Sequence, residues 1–474
     1  MFDKFKEECG VVGVCGHPEA GRIAADGLFQ LQHRGQEAAG VAVLGDEKIK
    51  VQKGLGLVRN ALTPSVTKEL KGQFAIGHNR YATQGEKSGD KAVLNAQPFY
   101  FESRFGPIAL AHNGNVTNTD ELRVRLALRD ITPVSTSDSE VILLLIAHAK
   151  APNLLAAIKE ALLEVEGAFA LVILSTEGVY AIRDKHGFKP LVLGVGFDNG
   201  RRTFQVIASE TCALDHLGAK YVREIQPGEI FFSSHNTSSS DSYGGPAPES
   251  RCVFEHVYFS RPDSVVFGRF VMQDRQTMGR FLAQTHTVEA DAVVAVPDSG
   301  IAAAEGYSME SRIPLVRGII RNHYVGRTFI EGDERYRDEQ VQNKFNPVHQ
   351  LLKGKRVVLV DDSIVRGTTL AKIVGMVRES GATEVHVRIS CPPTTGSCFY
   401  GVDTPSESKL IANRMSLDET RKFLGANSLG YLPLEKLQTA VNDGQDTRYC
   451  YACYTRQYPT PVGHLIKIAK AQPA

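Results

Sequence analysis

The sequence predicts two domains of different fold class: an α+β domain of two packed sheets covered by helices, then an α/β domain built on a parallel sheet. Three observations support this. The first half alternates apolar strand candidates, separated by Gly-containing turns, with helices that have wide apolar faces. From Asp291 onward, apolar β-branched runs are followed by helical patterns, which is typical of a parallel sheet. Between the halves, residues 233–251 are polar and nearly free of large apolar side chains, which predicts a linker.

The composition is that of an ordinary globular protein. Its 474 residues suit two or three domains, with 42% hydrophobic and 23% charged residues. A formal charge of +1 and the lack of any apolar run of membrane-spanning length predict neither nucleic-acid nor membrane partners. The first residues lack the apolar core of a secretion signal, which favours the cytoplasm. The eight cysteines are scattered, which argues for metal binding or catalysis rather than a disulfide scaffold.

Apolar runs of different period predict the elements of the first half. Continuous runs predict strands at 9–14, 168–174, 179–183 and 204–208. Wide apolar faces predict helices at 141–150 and 154–164. The first of these helices is preceded by STSDSE, residues 135–140, with Ser and Asp in capping positions.

Several short segments of this half carry residues suited to chemistry. Cys9 opens the first strand, where a lone cysteine is more often a small buried apolar side chain. The other segments are LQHRGQEAAG at 31–40, GHNRYAT at 77–83 and AHNG at 111–114. With STSDSE, this set resembles the glutaminase domain of class II glutamine amidotransferases, the N-terminal-nucleophile type. The resemblance implies an αββα sandwich over residues 9–232 and a propeptide over residues 1–8.

The resemblance also implies roles for five residues. Removal of the propeptide would leave Cys9 first in the chain, with its own α-amine, of pKa about 7.7–8.0, as general base toward the thiol. Asn113 and Gly114 match the oxyanion hole of this domain. Arg80 matches the residue that binds the α-carboxylate of glutamine, and Asp138 the residue that binds its α-ammonium group. Taken singly, either charge is explained as well by a surface ion pair; the set of motifs favours the site.

The central feature of the second half is KRVVLVDDSIVRGTT at residues 355–369. The run 357–360 predicts a buried strand that ends in Asp361 and Asp362, and apolar residues at helical spacing after Thr369 predict a helix. Ligands bind beyond the carboxyl ends of parallel strands, and a helix N-terminus favours phosphate. There is no P-loop motif, and carboxylates beside a phosphate site suit ribose hydroxyls or magnesium, so a sugar phosphate is predicted.

This stretch resembles the loop that binds phosphoribosyl pyrophosphate (PRPP) in phosphoribosyltransferases. The resemblance implies an α/β type I phosphoribosyltransferase domain over residues 252–470. The residues of this stretch that it implies in PRPP binding are Asp361, Asp362, Ser363, Arg366, Gly367, Thr368 and Thr369.

Two further segments complete the predicted PRPP site. Residues 297–300 follow a strand predicted at 292–296 and match the turn that faces the pyrophosphate. Within this turn, Ser299 matches a ligand of one Mg²⁺ per subunit, together with Asp361 and Asp362, although a plain helix cap explains Ser299 equally. RNHYVGRTFI, residues 321–330, resembles a mobile loop that closes over PRPP, which adds Tyr324 and Arg327 to the binding residues. Arg321 and His323 depart from the pattern of that loop.

The cysteines of the second half suggest a metal centre. Cys450 and Cys453 form a CxxC pair, which alone suits zinc or redox chemistry equally. EHVYFSRPDS, residues 255–264, resembles amidophosphoribosyltransferases, and Cys252 and Cys398 match ligand positions in their iron-sulfur branch. The resemblance implies one 4Fe-4S cluster per subunit on Cys252, Cys398, Cys450 and Cys453. Buried thiols are expected at Cys15, Cys212 and Cys391.

The predicted reaction joins the two halves. PRPP, glutamine and water would give 5-phosphoribosylamine, glutamate and pyrophosphate, the first committed step of purine synthesis in this family. Ammonia freed at Cys9 would travel through a dry passage to the PRPP site, and PRPP binding would switch on the glutaminase. The resemblance also implies purine nucleotides as feedback inhibitors and a homotetramer or homodimer.

Two alternative functions predict other sequence features. An aminotransferase acting on fructose 6-phosphate shares the first domain but requires sugar-isomerase domains, which DDSIVRGTT argues against. A regulatory PRPP- or nucleotide-binding protein with an inactive glutaminase would have lost acids or nucleophile. Cys9, Asn113, Asp361 and Asp362 are all present, which disfavours it.

Overall fold

The structure is a computed structural model that describes residues 9–46, 48–81, 90–198, 201–235, 237–323, 344–442, 448–463 and 465–466. The predicted propeptide lies outside the described residues, as do Tyr324 and Arg327 of the predicted mobile loop. Arg321 and His323, at the start of that loop, are described.

The first domain contains two antiparallel sheets. Its strands are β1 (Gly10–Cys15), β2 (Ala38–Gly45), β3 (Lys48–Leu55), β4 (Phe74–Arg80), β5 (Phe99–Ser103), β6 (Gly106–Val116), β7 (Gly167–Leu174), β8 (Val179–Arg183), β9 (Val192–Asp198), β10 (Arg201–Ala208), β11 (Ala219–Glu224), β12 (Glu229–Ser233) and β13 (Ser238–Ser242). One sheet has the order β11-β9-β10-β1-β4-β2-β3 and the other β13-β12-β8-β7-β6-β5. Val12 pairs with Gly77 on one side and Ala208 on the other, so β1 lies in the middle of the first sheet.

Helices cover the outer face of each sheet. They are α1 (Ala20–Gln30), α2 (Val58–Ala61), α3 (Pro64–Lys68), α4 (Asp90–Leu94), α5 (Thr119–Ala127), α6 (Asp138–Ala147), α7 (Leu154–Glu164) and α8 (Thr211–His216). Leu28 of α1 packs with Val12 of the first sheet, and the apolar residues of α6 and α7 pack on the second sheet. Ile76 and Val172 belong to a core between the sheets. This four-layer arrangement confirms the predicted αββα sandwich.

The second domain contains a parallel sheet. Its strands are β14 (Arg251–Cys252), β15 (Val265–Val266), β16 (Arg269–Phe270), β17 (Ala292–Ala295), β18 (Ile319–Arg321), β19 (Phe345–Pro347), β20 (Arg356–Asp361), β21 (Glu384–Ile389), β22 (Ser428–Tyr431) and β23 (Tyr449–Cys450). The central sheet has the order β17-β20-β21-β22, and its three pairs are all parallel. This confirms the α/β class predicted for the second half.

Helices and a short π-helical turn surround this sheet. The helices are α9 (Val271–Thr285), α10 (Ile301–Ser311), α11 (His349–Leu352), α12 (Thr368–Glu379), α13 (Ile411–Arg414), α14 (Leu417–Phe423), α15 (Leu434–Asn442) and α16 (Ala452–Thr455). The π-helical turn spans Glu255–Phe259, and one 3₁₀ turn spans Glu407–Lys409. Strands β14 and β23 pair in parallel, with Cys252 opposite Cys450. No helix in the described part of the chain is long and apolar enough to cross a membrane.

One strand lies inside the segment predicted as a linker. Residues 238–242 form β13, which pairs antiparallel with β12 at the edge of the second sheet. All five residues of β13 are exposed. The apolar pattern could not reveal this strand, because it is held by backbone hydrogen bonds to a neighbouring edge and buries no side chain. The domain boundary at residue 232 stays a prediction.

Candidate active sites

Cys9 precedes β1 directly, next to the end of β4. Its Sγ donates a hydrogen bond to the carbonyl oxygen of Tyr81 at 3.3 Å, and the Tyr81 N–H lies 3.4 Å from Sγ. The N–H of Gly10 donates to Oδ1 of Asn79 at 2.7 Å, which anchors the start of the strand. Because Cys9 is only 7% exposed, its thiol is held in a largely dry environment.

The electrostatic environment of Cys9 includes two of the predicted glutamine-binding residues. Burial raises the pKa of the Cys9 thiol to about 11. The hydrogen bond with Tyr81 and the charge of Arg80 oppose the rise, whereas the charges of Glu37 and Asp138 add to it. The thiol is therefore protonated at neutral pH, and its reaction requires a base that removes the proton. The structure thus brings Arg80 and Asp138 close enough to Cys9 for their charges to act on it.

Asp138 is the first residue of α6 and is fixed by its neighbours. Its Oδ2 accepts the N–H of Val116 at 3.0 Å. The helix is capped by Ser137, whose hydroxyl accepts the N–H of Ser139 at 3.2 Å, as the capping pattern predicts. Asp138 is 6% exposed, so its carboxylate is part of the buried site and not a surface charge.

Asn113 lies in β6 and is completely buried. Among the described residues, neither Oδ1 nor Nδ2 of its side chain has a hydrogen-bond partner. Leaving a buried polar group unpaired costs about 1–3 kcal/mol. An amide kept in this state is suited to a partner that arrives with the substrate, such as a developing oxyanion. Gly114, its predicted companion, follows it in β6.

The buried histidines of this domain serve the scaffold. Nε2 of His78 lies 3.0 Å from the carbonyl oxygen of His112, and Nδ1 of His112 lies 3.0 Å from the Ser139 hydroxyl. Burial lowers the pKa of His78 to about 3 and also lowers that of His112, so both rings are neutral at pH 7. Their hydrogen bonds go to the strands and to α6.

In the second domain, two parallel strands bring Ser299 and Asp361 together. Ala295 of β17 is in register with Val360 of β20, so the carboxyl ends of both strands lie side by side. The Ser299 hydroxyl donates to Oδ1 of Asp361 at 3.2 Å. The same Oδ1 accepts the Asp362 N–H at 2.9 Å.

The two acids have different surroundings. Asp361 is 2% exposed and faces Ser299, whereas Asp362 is completely buried and its Oδ2 accepts the Ser363 hydroxyl at 2.6 Å. The charge of Asp362 also acts on Arg275, a buried residue of α9. The two acids are therefore not equivalent to each other.

The loop after these acids leads into the N-terminus of α12. Gly367 is its N-cap, with φ of 85°, in the left-handed region that favours glycine. Among the described residues no side chain caps this helix. Arg366 and Thr368 are exposed beside it, and Thr369 is 8% exposed. At the other side of the site, Arg321 forms an ion pair with Asp298 of the turn that carries Ser299.

All four predicted cluster cysteines line one cavity. The thiols are those of Cys252, Cys398, Cys450 and Cys453, and apolar and aromatic side chains such as Phe188 and Tyr400 complete the wall. Burial raises the pKa of Cys450 to about 12 and raises the pKa of Cys453 well above the usual value of a thiol, and neighbouring thiols add to both shifts. In the described part of the chain, no group of three His, Cys, Asp or Glu residues could hold a single metal ion.

A segment after Cys398, here called the 398–403 segment, crosses from the second domain to the first. The carbonyl oxygen of Phe399 accepts Nδ2 of Asn115 at 2.9 Å. The Tyr81 hydroxyl lies 3.5 Å from Oδ2 of Asp403. Both first-domain partners adjoin predicted glutaminase residues: Asn115 follows the oxyanion pair, and Tyr81 contacts Cys9.

Three buried charges at this boundary have no role in the sequence prediction. They are Arg34, Glu210 and Glu255. Arg34 and Glu255 lie within the motifs LQHRGQEAAG and EHVYFSRPDS, so the signal was present. Their contact joins residues 221 positions apart, which no local pattern reveals.

Comparisons with known proteins agree with this two-site geometry. The family model "Glutamine amidotransferase domain" matches residues 78–216, and "Phosphoribosyl transferase domain" matches residues 276–405. The amidophosphoribosyltransferase of Synechocystis sp. is 44% identical over 473 residues, which cover 99% of this chain and 94% of that protein. The chain belongs to the amidophosphoribosyltransferase family.

Other members of the amidophosphoribosyltransferase family agree. The chloroplastic enzyme of Glycine max is 48% identical over 459 residues, which cover 96% of this chain and 79% of that protein. A solved structure of glutamine PRPP amidotransferase from B. subtilis, complexed with ADP and GMP, has a TM-score of 0.89 and 42% identity, and covers 96% of this chain and 98% of that one. The predicted family and enzyme class are confirmed, and the fructose 6-phosphate aminotransferase is not supported.

Proposed function

We propose that this chain hydrolyses glutamine at Cys9 and uses the ammonia at the Asp361 site to convert PRPP to 5-phosphoribosylamine, glutamate and pyrophosphate. As a family member it is a glutamine-dependent PRPP amidotransferase of purine biosynthesis. The observation that most supports glutamine hydrolysis in the first domain is the buried amide of Asn113, in the domain that holds Cys9, which has no partner among the described residues.

The glutamine half-reaction begins with the Cys9 thiol. Once the propeptide is removed, the freed α-amine takes the thiol proton, and Sγ attacks the side-chain carbonyl carbon of glutamine. As the C–N bond breaks, the α-ammonium group of Cys9 returns the proton to the departing nitrogen, which leaves as ammonia. A thioester remains, and water hydrolyses it to glutamate and the free thiol. A base is needed because burial raises the pKa of this thiol to about 11.

Four residues serve this half-reaction. Nδ2 of Asn113 and the N–H of Gly114 donate to the oxyanion that forms on the glutamine carbonyl. The Arg80 guanidinium binds the α-carboxylate, and the Asp138 carboxylate binds the α-ammonium group. Both ion partners are buried, which strengthens the attraction and selects an amino acid over a simple amide.

The PRPP half-reaction takes place beyond the ends of β17 and β20. Ammonia attacks C1 of the ribose as the C–O bond to pyrophosphate breaks. Asp361 and Ser299 are oxygen donors 3.2 Å apart and fit Mg²⁺, which takes few protein ligands beside substrate phosphates. Bound there, Mg²⁺ would neutralise the leaving pyrophosphate. Asp362, turned toward Ser363, is assigned mainly to the ribose side.

The loop before α12 holds the 5-phosphate. The N-terminus of this helix favours an anion, and the residues assigned to the phosphate are Ser363, Arg366, Gly367, Thr368 and Thr369. Tyr324 and Arg327 are proposed to close over PRPP. Closure would exclude water, form the dry passage for ammonia and switch on the glutaminase.

A 4Fe-4S cluster on Cys252, Cys398, Cys450 and Cys453 is part of this proposal. The support is that the four thiols line one apolar cavity, a set of soft ligands that suits iron and sulfide. The Tyr400 N–H donates to Sγ of Cys398 at 3.3 Å, a hydrogen bond of the kind that stabilises thiolate ligands. The proposed cluster is structural, since the reaction transfers no electrons.

Regulation, assembly and compartment are further parts of this proposal. The B. subtilis structure contains ADP and GMP, and we propose purine nucleotides as inhibitors of this chain as well. A homotetramer or homodimer is proposed. The eight cysteines are free thiols, which suits a reducing compartment, and we propose the cytoplasm, although the Glycine max relative is chloroplastic.

The two-site scheme is tested by Cys9→Ala. The variant should lose glutamine-dependent synthesis and keep synthesis of 5-phosphoribosylamine from added ammonia, because the PRPP site does not use this thiol. Both rates are measured with the mature protein, whose N-terminus is checked by intact mass. Cys15→Ala, at a buried cysteine at the end of β1, is the control and should keep both rates. Loss of both rates in Cys9→Ala alone would contradict separate sites.

A further inference from the structure

Three charged side chains are buried together where the two domains meet. Arg34 is 1% exposed, and both Glu210 and Glu255 are fully buried. Nη1 of Arg34 donates to Oε1 of Glu210 at 2.6 Å, and Nη2 donates to Oε1 of Glu255 at 2.6 Å. The third Arg34 nitrogen, Nε, donates to the backbone carbonyl oxygen of Cys9 at 3.1 Å. One guanidinium therefore connects two carboxylates to the backbone of the nucleophile.

Glu255 belongs to the second domain by its packing. It opens the π-helical turn Glu255–Phe259, and Phe254, Val257 and Phe259 of this region pack in the core of the parallel sheet. Any shift of that turn relative to the first domain moves the carboxylate to which Arg34 is bound.

The same turn is held by Arg275 of α9. Its Nε donates to the carbonyl oxygen of His256 at 2.7 Å, and its Nη2 donates to that of Ser260 at 2.8 Å. Burial lowers the pKa of Arg275 to about 10, and the charge of Asp362 is the largest influence that opposes this shift. Arg275 thus lies within electrostatic range of Asp362 while its hydrogen bonds hold the turn that carries Glu255.

We propose that Arg34 is a positioning residue for Cys9. Glu255, its partner from the second domain, couples Cys9 to the binding of PRPP at the loop that carries Asp362. The inference rests on the proposed function and names a route by which PRPP acts on the glutaminase.

The physical basis is the cost of an unpaired buried charge. A guanidinium that loses a buried carboxylate is strongly destabilised, so its fork follows Glu255 when the turn moves. Nε and Nη2 belong to one rigid guanidinium plane. A movement of Nη2 with Glu255 therefore changes the hydrogen bond from Nε to the Cys9 carbonyl oxygen. Glu210 is held from both domains, by His33 Nε2 at 2.7 Å, the Arg261 N–H at 2.8 Å and the Ser264 hydroxyl at 2.7 Å. Glu210 therefore stays in place, and Arg34 moves relative to it when Glu255 moves.

The test uses Glu255→Gln, Arg34→Lys and their double variant in the full-length mature enzyme. Three rates are measured: glutamine hydrolysis without PRPP, glutamine hydrolysis with PRPP, and synthesis from added ammonia. Glu255→Gln should lower the PRPP stimulation of glutamine hydrolysis at least about fivefold, the lower end of typical coupling between sites. Arg34→Lys should lower kcat of glutamine hydrolysis about 10- to 100-fold, since small misplacements of a nucleophile have effects of that size.

Synthesis from ammonia and the KM for PRPP should stay within about twofold in all variants, because neither residue belongs to the PRPP loop. The double variant should show no further loss of stimulation, since both changes break one link. Arg183→Lys is the matched control: Arg183 is equally buried in the first domain but donates to the carbonyl oxygens of Ile225 and Gly187. It should leave the stimulation unchanged.

A Glu255→Gln enzyme with full stimulation would overturn the inference, as would equal losses in Arg183→Lys or a matching loss of the ammonia reaction. These outcomes differ from failure of the proposed function itself. In that case the unmodified enzyme would lack either glutamine hydrolysis or synthesis from ammonia.

Discussion

At the scale of single residues, the two proposed sites differ in the hydrogen bonding of their polar side chains. In the first domain the buried side-chain amide of Asn113 has no hydrogen-bond partner among the described residues, so it can pair with the oxyanion proposed above. In the second domain Asp361 is already bound to Ser299 and to the backbone of Asp362. Among the described residues, the proposed glutamine site thus holds a buried amide without a partner, whereas the polar groups of the proposed PRPP site are already hydrogen-bonded to one another.

Asn113→Ala tests the first of these arrangements. Loss of one oxyanion donor should lower kcat of glutamine hydrolysis about 100- to 1000-fold with little change in KM, because the oxyanion exists only in the transition state. Synthesis from ammonia should be unaffected. The control is Asn153→Ala, which removes the N-cap of α7 and should lower stability by about 1 kcal/mol without lowering kcat. Equal kcat in Asn113→Ala and the unmodified enzyme would remove Asn113 from the oxyanion hole.

His78 gives the first domain a defined response to acid. Its pKa is about 3 in the folded state, far below the value near 6.5 of an unfolded chain. The unfolded state therefore binds the extra proton, so the stabilisation is complete above about pH 6.5 and is lost as pH falls toward 3. We expect the free energy of unfolding to fall by up to about 1.4 kcal/mol per pH unit from this residue between these limits.

His78→Gln should remove that part of the slope while keeping a donor for the His112 carbonyl oxygen. Unfolding by urea at pH 4 to 7, followed in the mature protein, measures it. His216→Gln, at an exposed histidine of α8, is the control for replacing a histidine. An unchanged slope in His78→Gln would show that the acid response comes from other groups.

At the scale of elements, local patterns predicted those that bury a periodic apolar face. The helix predicted at 154–164 has these bounds in the structure, because Asn153 caps it and its apolar face lies on the second sheet. The predicted strand 357–360 extends to Arg356–Asp361, since its backbone pairs on both sides. Strand β13 was missed because its serines bury nothing. Elements held by backbone pairing alone leave no trace in an apolar pattern.

The 398–403 segment of the second domain contacts the strand that carries the proposed oxyanion residues. Gly401 has φ of 108°, and a Cβ there would lie 3.2 Å from the carbonyl carbon of Gly114 and 3.2 Å from Nζ of Lys189. A side chain at this position would push the segment away from the oxyanion strand. The loop and the strand therefore depend on each other for their positions.

Gly401→Ala should lower glutamine-dependent synthesis about tenfold or more while sparing synthesis from ammonia, because the added Cβ would displace the backbone of Gly114, a proposed oxyanion residue. Gly425→Ala is a matched control: Gly425 has φ of 68°, and a Cβ added there would meet no described atom within 4 Å. Both variants place Ala at a positive φ, which costs about 1–2 kcal/mol in the left-handed region of Gly425. If Gly425→Ala lost as much glutamine-dependent activity as Gly401→Ala, strain rather than contact would be the cause.

At the scale of the whole molecule, the sequence predicted both sites but not their connection. Each site is made of residues in short motifs, so Cys9, Asn113, Ser299 and Asp361 could be proposed from local patterns. The connection depends on tertiary contacts, and a buried Arg or Glu in a sequence looks the same as an exposed one. The group of Arg34 with its carboxylates became visible only when the domains were packed together.

The proposed cluster should stabilise the fold of the second domain. Cys252→Ser, prepared without oxygen, should lack most of the iron and sulfide of the unmodified enzyme and unfold at a lower temperature, because the cavity would lose a ligand. Cys391→Ser, at a buried thiol outside the proposed ligand set, should keep its iron. The measurements are iron and sulfide content and the thermal midpoint. A cluster-free protein with full stability and full activity would refute a structural role.

The pairing of β14 with β23 sets an order of events during synthesis. Cys252 stands opposite Cys450, so the two strands meet only after residue 450 has been synthesised. The strands of both first-domain sheets end by Ser242 and can pair well before that moment. The β14–β23 pair can therefore form only after all strands of the two first-domain sheets have been synthesised. A nascent chain can thus hold the fold around Cys9 before it holds the strand pair that carries Cys252 and Cys450, two of the proposed cluster ligands.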